Sequence, residues 1–321
     1  MTGRILVGVD GSQGSRRAMR WALEEAVLRG SILEAVTVWQ SPFDLPWDFD
    51  FSYPVDEAKL AENARARLTE TIGEIVDNRA GVELERVVLE GDPAETLCKR
   101  GAGADLLVVG SRGYGALAGL LLGSVSSKCA HHSRGPVVIV PGARRGDEVE
   151  GPSLTGRIVV GFDASPGSRR ALRWAIAEAE TRGATVLAVM VWGGARADDV
   201  VAKELATLPA LRRDDQADIE LATKRLKEIV SEVLGEAPFE ASVKADPVVI
   251  EGNPAETLCR YAAEADMLVV GKRGHGTFPE LSLGSVSDRC ARHSTRPVVI
   301  VPADGSGHES TFRARSSTRV R

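Results

Sequence analysis

The sequence lacks the features that mark several large classes of protein. Basic residues are not in excess, because the net charge is −5. The sequence therefore predicts no broad positive surface of the kind that holds nucleic acid through its phosphates. The longest mostly apolar run, residues 115–122, is too short to cross a bilayer. We therefore expect neither a nucleic-acid partner nor a membrane partner.

Cysteines are few and are not arranged as a metal or redox motif. The four cysteines, Cys98, Cys129, Cys259 and Cys290, include no CxxC pair, the spacing typical of zinc ligands and dithiol redox centres. We expect them to be buried thiols on helices. At the N-terminus a strand-like apolar segment is followed at once by Asp10, too early a charge for the apolar core of a secretory leader. The sequence predicts a cytoplasmic protein.

A glycine pattern occurs twice with the same internal spacing. Residues 110–113 read Gly-Ser-Arg-Gly and are followed, after nine residues, by Gly123-Ser124. Residues 271–274 read Gly-Lys-Arg-Gly and are followed, after nine residues, by Gly284-Ser285. The flanking sequences match as well, so a whole unit was duplicated together with its loop.

The duplication divides the chain into two domains. At 321 residues the chain is long for one compact core and comfortable for two of roughly 100–150 residues each. Matching apolar segments close the two copies at residues 136–141 and 297–302, and a charged stretch with Gly and Pro lies between the copies. We predict a first domain at residues 1–141, a linker at 142–156, a second domain at 157–302 and a disordered tail at 303–321.

Within each copy, short apolar runs alternate with helical patterns. Between the first two runs, Ala18, Trp21, Ala22 and Ala26 recur near helical spacing with charged residues between them, which indicates an amphipathic crossover helix. This alternation is typical of a parallel sheet buried on both faces. The sequence predicts an α/β fold with two tandem doubly wound domains, each a five-stranded, mostly parallel sheet with helices on both faces. In the first copy the predicted strands are residues 5–9, 33–38, 84–89, 106–109 and 137–140.

Each glycine pattern lies between a strand and a helix. Val109 ends the fourth apolar run and Gly110 begins a turn, while Ser124 lies at the predicted start of the next helix. Glycine permits positive φ and a close approach of the backbone to an anion, and the N–H groups at a helix start attract negative charge. The spacing is neither that of a P-loop nor the GxGxxG of a dinucleotide loop. The pattern predicts a phosphate-binding loop of another kind.

With Gly-x-Asp after the first strand and G-x-x-G, nine residues, G-S after the fourth, the sequence resembles the universal stress protein family. The resemblance covers both copies. It is to the tandem members of the ATP-binding branch, which this glycine pattern distinguishes from a branch that does not bind nucleotide. It implies one ATP, with Mg²⁺, in a cleft at the carboxyl ends of the strands of each domain, where open parallel sheets generally hold ligands.

The resemblance also implies a role for each site residue. Asp10 and Asp163 would meet the ribose and the adenine edge, and Val38 and Val191 would offer backbone groups to adenine. The loop residues would wrap the ribose and the phosphates. The implied set is Gly8, Asp10, Val38, Gly110, Ser111, Arg112, Gly113, Gly123, Ser124 and Val125 in the first copy, and Gly161, Asp163, Val191, Gly271, Lys272, Arg273, Gly274, Gly284, Ser285 and Val286 in the second.

These features imply a regulator rather than an enzyme. The resemblance implies an ATP-binding protein of the cytoplasmic stress response, with a homodimeric assembly and an unidentified regulatory protein as a partner. No general base and no acidic cluster matches across both copies, so we expect slow ATP hydrolysis at most.

Two other functions remain open on the sequence. One is an ATP-using enzyme of the ATP pyrophosphatase or nucleotidyl transferase type with residues 8–12 as its phosphate loop, although the two copies share no further motif for a second substrate. The other is an interaction scaffold whose glycine loops are tight turns that bind nothing. Asp10 and Asp163 would then serve as helix N-caps, a role that Ser12 and Ser165 could fill equally well.

Overall fold

The computed structural model describes residues 3–41, 56–76, 81–113, 122–142, 155–192, 215–235, 243–274 and 283–302. The chain divides into two compact units, Met1–Pro152 and Ser153–Arg321. The predicted limits of the linker and of the tail fall mostly outside the described residues and stay predictions.

The first unit alternates strands and helices throughout. The predicted strands agree with the observed ones to within one residue at either end. In chain order the elements are β1 (Arg4–Gly8), α1 (Gln13–Arg29), β2 (Ile32–Trp39), α2 (Glu57–Ile75), β3 (Leu84–Glu90), α3 (Pro93–Gly101), β4 (Leu106–Gly110), α4 (Ser124–His132) and β5 (Val137–Val140).

The second unit repeats this order of elements. It differs most in its middle helix, which is the longest of the described helices. The elements are β6 (Arg157–Gly161), α5 (Pro166–Arg182), β7 (Thr185–Trp192), α6 (Asp215–Gly235), β8 (Ala245–Glu251), α7 (Pro254–Ala262), β9 (Met267–Gly271), α8 (Ser285–His293) and β10 (Val298–Val301).

Inside each unit the five strands are hydrogen-bonded in parallel, with a reversal of order in the middle. The order is β3-β2-β1-β4-β5 in the first unit and β8-β7-β6-β9-β10 in the second. The chain moves outward from β1 to β3 and then returns to place β4 on the other side of β1. Open α/β sheets hold ligands beyond the carboxyl ends of their strands at such a switch point. The predicted fold class is confirmed.

The core of the first unit consists of the apolar residues that the sequence pattern predicted. Ile5, Leu6 and Val7 of β1 are fully buried, and so are Ala18 and Ala22 of α1. Successive side chains of a strand point to opposite faces of the sheet, so an unbroken buried run requires cover on both faces. The helices on the two faces supply that cover.

One charged residue of the crossover helix departs from the expected solvated face. Glu25 is only 2% exposed and forms an ion pair with Arg29 one helical turn later. The second unit repeats the arrangement with Glu178 and Arg182. A carboxylate can be buried when its charge is paired and hydrogen-bonded. The periodic pattern assigns charged residues to the exposed face of a helix, and it therefore could not predict the burial of these glutamates.

Ala164 has a backbone conformation that a side chain disfavours. Its φ is 65°, the only positive φ at a non-glycine residue in the described part of the chain, and its counterpart in the first unit is Gly11, with φ of 85°. A Cβ in this left-handed region destabilises the folded chain by roughly 1–2 kcal/mol. Glycine avoids that cost but loses more conformational entropy on folding, which offsets about 0.5–1 kcal/mol of the gain.

We expect Ala164→Gly to raise the free energy of unfolding of the second unit by up to about 1 kcal/mol. Urea unfolding followed by circular dichroism measures the change. The matched control is Ala177→Gly inside α5, where glycine should lower the free energy by about 1 kcal/mol. A loss of stability in both variants would show that Ala164 is not strained.

Candidate functional site

The carboxyl ends of β1 and β4 meet the first turn of α1 through backbone alone. An ideal Cβ on Gly110 would lie 2.6 Å from the carbonyl carbon and oxygen of Gly14. One on Gly14 would lie 2.0 Å from the carbonyl oxygen of Arg112. Both distances are shorter than real Cβ contacts, so only glycine permits this approach. The end of β4 is thereby held directly beside the start of α1.

The Asp10 carboxylate lies between the turn after β1 and the glycine loop. Its Oδ1 accepts a hydrogen bond of 2.9 Å from the backbone N–H of Ser12. Its Oδ2 would be 2.4 Å from an ideal Cβ on Gly113. Asp10 is itself solvent-exposed. The two site segments that the sequence predicted are therefore brought together at this carboxylate.

The second unit repeats the same packing. An ideal Cβ on Gly271 would lie 2.7 Å from the carbonyl carbon of Gly167, and one on Gly167 would lie 2.3 Å from the Arg273 carbonyl oxygen. One on Gly274 would lie 2.2 Å from Oδ2 of Asp163. The duplicated glycine pattern thus encodes a duplicated geometry.

Close approach, rather than positive φ, is what the loop glycines supply. Gly123 has φ of −75° and Gly284 has φ of −72°, which any residue can adopt. Gly110 and Gly113 likewise have no positive φ, whereas Gly11 does. Positive φ is therefore not what requires glycine at these loop positions.

Helices α4 and α8 begin without a capping side chain. Their N-caps are Gly123 and Gly284, and within the described residues no side chain caps the first N–H groups, which have no partner inside the helix. Helices α1, α3, α5 and α7 are by contrast capped by side chains, of Ser12, Asp92, Ser165 and Asn253. The predicted helix start at Ser124 is confirmed, and its open turn faces the end of β4.

The glycine loop is closed by hydrogen bonds to its own backbone. The carbonyl of Ser111 accepts from the N–H of Gly123 at 2.7 Å and from Oγ of Ser126 at 3.1 Å. In the second unit the carbonyl of Lys272 accepts from Gly284 and from Oγ of Ser287. These bonds fix the start of each helix against the end of the preceding strand.

Val38 presents its backbone groups to the space beyond the end of β1. The N–H of Val9 donates to the carbonyl of Val36 at 2.8 Å, so the groups of Val36 face β1. Successive residues of a strand alternate sides, and Val38 therefore faces the same side, past the end of β1 at Gly8. Val191 has the equivalent position, because Phe162 donates to the carbonyl of Val189.

The N–H groups of the turn before α1 donate to side chains of the same turn. The N–H of Gly11 donates to Oγ of Ser15 at 3.1 Å, and that of Ser15 donates to Oγ of Ser12 at 3.2 Å. Together with the Ser12–Asp10 bond, these contacts occupy three amides of the turn, those of Gly11, Ser12 and Ser15. The N-cap is Ser12, and Asp10 braces the turn before it.

Some predicted site residues have other partners. The Ser111 hydroxyl is buried and accepts from the N–H of Gly142 at 3.0 Å. The Arg112 side chain also lies beside Gly142. An ideal Cβ on Gly8 would lie 2.9 Å from Cδ1 of Leu97, and Gly161 meets Leu258 in the same way, so both glycines make room for a helix packed on the sheet.

Sequence reasoning missed Gly14 and Gly167. The signal was present, because residues 11–15 read Gly-Ser-Gln-Gly-Ser and residues 164–168 read Ala-Ser-Pro-Gly-Ser. Extending the alignment of the two copies past Ser12 would have found the second glycine. The contrast between Tyr114 and His275, which bears on the equality of the two sites, lies outside the described residues.

Two classes of feature are not found within the described residues. None of the described helices combines the length and the apolar character needed to cross a membrane. The same residues contain no cluster of His, Cys, Asp and Glu that could hold a metal ion.

Residues 1–141 and 155–302 each match the model of the universal stress protein family. The two segments make up most of the chain. The chain belongs to the universal stress protein family. Universal stress protein Rv1996 of Mycobacterium tuberculosis is 32% identical over 315 residues, which cover 94% of this chain and 96% of that protein. A universal stress protein of Mycolicibacterium smegmatis is 31% identical, with 92% and 96% covered.

A solved structure supports the same fold for this universal stress protein. The universal stress protein from Archaeoglobus fulgidus superposes with a TM-score of 0.64 at 23% identity, covering 93% of this chain and 96% of that chain. The sequence-based assignment to a tandem member of the family is confirmed.

We expect Gly14→Ala to lower the free energy of unfolding of the first unit by about 1–3 kcal/mol, because its Cβ would overlap the Arg112 carbonyl. Gly123→Ala is the matched control, since its Cβ would find its nearest neighbour at 3.4 Å. That variant should change stability by less than about 0.5 kcal/mol. Chemical denaturation of both variants measures the difference, and equal effects would contradict the close packing of α1 on the loop.

Proposed function

We propose that each unit of this universal stress protein binds one ATP, with Mg²⁺, at the carboxyl ends of its strands. The observation that carries the proposal is the uncapped start of α4 and of α8, each hydrogen-bonded to the glycine loop that meets Asp10 or Asp163. The protein is then a cytoplasmic, homodimeric stress-response regulator whose interaction with a protein partner depends on bound nucleotide.

The phosphates belong at the first turn of α4. The amides of Ser124 and Val125 lie in that turn, and the helix dipole favours negative charge there. Ser124 is exposed and adds a hydroxyl. Mg²⁺ retains several waters and binds largely through phosphate oxygens, so it would arrive with the nucleotide.

The ribose and the base belong on the β1 side of the cleft. The Asp10 carboxylate is an acceptor suited to ribose hydroxyls, and it is already oriented by the Ser12 amide. The neighbouring N–H and C=O groups of Val38 match the acceptor N1 and the donor amino group of adenine. Guanine carries a donor and an acceptor in the opposite places.

The enzyme alternative requires the turn before α1 to hold phosphate. Three of its amides, those of Gly11, Ser12 and Ser15, are engaged by neighbouring side chains, which argues against that function. The scaffold alternative gives no reason for two helix starts that lack capping side chains. Nucleotide binding at α4 and α8 is consistent with both observations, the hydrogen-bonded turn before α1 and the uncapped starts of α4 and α8.

Nucleotide retained through purification tests the proposal most simply. The purified protein is denatured, and the supernatant is separated by anion exchange. We expect adenine nucleotide in the supernatant, or saturable binding of added ATP if none is retained. Absence of both would leave the scaffold alternative.

We expect ATP to displace a fluorescent ATP analogue at a concentration roughly tenfold or more below that of GTP, the equivalent of about one hydrogen bond to the base. Competition titrations followed by fluorescence anisotropy give the two affinities. Equal displacement by GTP would contradict a role for the Val38 and Val191 backbone.

We expect two separable sites. Gly113→Val should abolish the first site because the side chain would displace Asp10, and Gly274→Val should abolish the second through Asp163. Calorimetry should give two nucleotides per chain in the wild type, one in each variant and none in the double variant. In each single variant the unmutated unit should still bind one nucleotide, which is the internal control. A wild-type stoichiometry of one would mean that one copy is degenerate.

A further inference from the structure

The four cysteines form two thiol pairs in the folded chain. Cys98 lies on α3 and Cys129 on α4, two helices that pack against each other. Their thiol groups lie close enough to interact directly. Cys259 on α7 and Cys290 on α8 repeat the arrangement. The sequence contains no CxxC, so the fold creates a juxtaposition that spacing did not predict.

The two members of each pair differ in their access to solvent. Cys129 and Cys290 are fully buried, whereas Cys98 and Cys259 are partly exposed. The expectation of buried thiols is therefore right for one member of each pair only. In the first unit an ion pair between Lys128 and Asp92, at 3.2 Å, also joins the two helices beside the thiols.

The interaction between the thiols assigns them different chemical roles. The interaction with Cys290 lowers the pKa of Cys259, although partial burial opposes the shift. The pKa of Cys290 is raised by the same interaction and by burial, and that of Cys129 is raised by its interaction with Cys98 and by burial. Since the thiolate is the nucleophile, the accessible member should react first.

We propose that Cys98–Cys129 and Cys259–Cys290 are oxidation sites at which a hydroperoxide closes a reversible disulfide within each unit. The partly exposed thiolate attacks the peroxide oxygen, which yields a sulfenic acid and releases water or an alcohol. The buried thiol then attacks the sulfenic sulfur and expels water. For hydrogen peroxide, two thiols and one peroxide give one disulfide and two waters. A dithiol reductant restores both thiols by exchange.

This inference goes beyond nucleotide binding and does not depend on it. Disulfides in cytosolic proteins are commonly transient and redox-sensing, which suits a half-exposed thiol beside a buried one. The bond requires the two sulfurs to approach to about 2 Å, so it would clamp α3 to α4 in the first unit and α7 to α8 in the second.

The test uses the full reduced chain without nucleotide. It is treated with hydrogen peroxide, its remaining thiols are blocked under denaturing conditions, and its peptides are mapped by mass spectrometry without reduction. We expect linked peptides for Cys98 with Cys129 and for Cys259 with Cys290, and we expect dithiothreitol to separate them. Pairs between units or between chains, sulfinic acid without a disulfide, or thiols that all stay reduced would overturn the proposal.

Two variants separate the roles within one pair. In Cys129→Ser, Cys98 should be captured as a sulfenic acid by dimedone, and no disulfide should form in the first unit. In Cys98→Ser, Cys129 should stay reduced. The intact pair of the second unit is the internal control in both variants, and circular dichroism confirms the fold. Rapid oxidation of Cys129 in Cys98→Ser would contradict the assigned order.

Discussion

The contact between the end of β4 and the start of α1 is the constraint on which the site depends. Gly110 meets the backbone of Gly14, and Gly14 meets the carbonyl of Arg112, with no room for a Cβ at either position. A side chain there would push the glycine loop away from the sheet. The same contact places Gly113 against Asp10. The second unit repeats this contact, so the packing requires glycine at the equivalent positions of both copies.

This packing brings two helix starts of opposite character to one edge of the sheet. At the start of α1, the amides of Ser12 and Ser15 donate to Asp10 and Ser12. The first turn of α4 has only Gly123 as its cap. The first turn of α1 therefore engages its amides with its own side chains more fully than the first turn of α4 does, which is why we propose the latter as the anion site. Val38 completes the edge with backbone groups that extend beyond β1.

The sequence predicted the architecture well because its signals are local. Alternating apolar runs, the helical spacing of Ala18, Ala22 and Ala26, and the helix start at Ser124 each depend on residues close in sequence. The missed features depend on residues distant in sequence. Gly14 is required only because Arg112 lies against it, and the thiol pairs exist only because α3 packs on α4. Glu25 is an exception, because the partner that compensates its buried charge, Arg29, is only one helical turn away.

The central claim is that the uncapped helix starts, and not the start of α1, hold the phosphates of a nucleotide. A crystal structure of the chain with a non-hydrolysable ATP analogue tests this directly. The account predicts density in both units, with phosphates at Ser124 and Ser285 and the base against the backbone of Val38 and Val191. Phosphate density at residues 11–15, or an absence of nucleotide from both units, would contradict it.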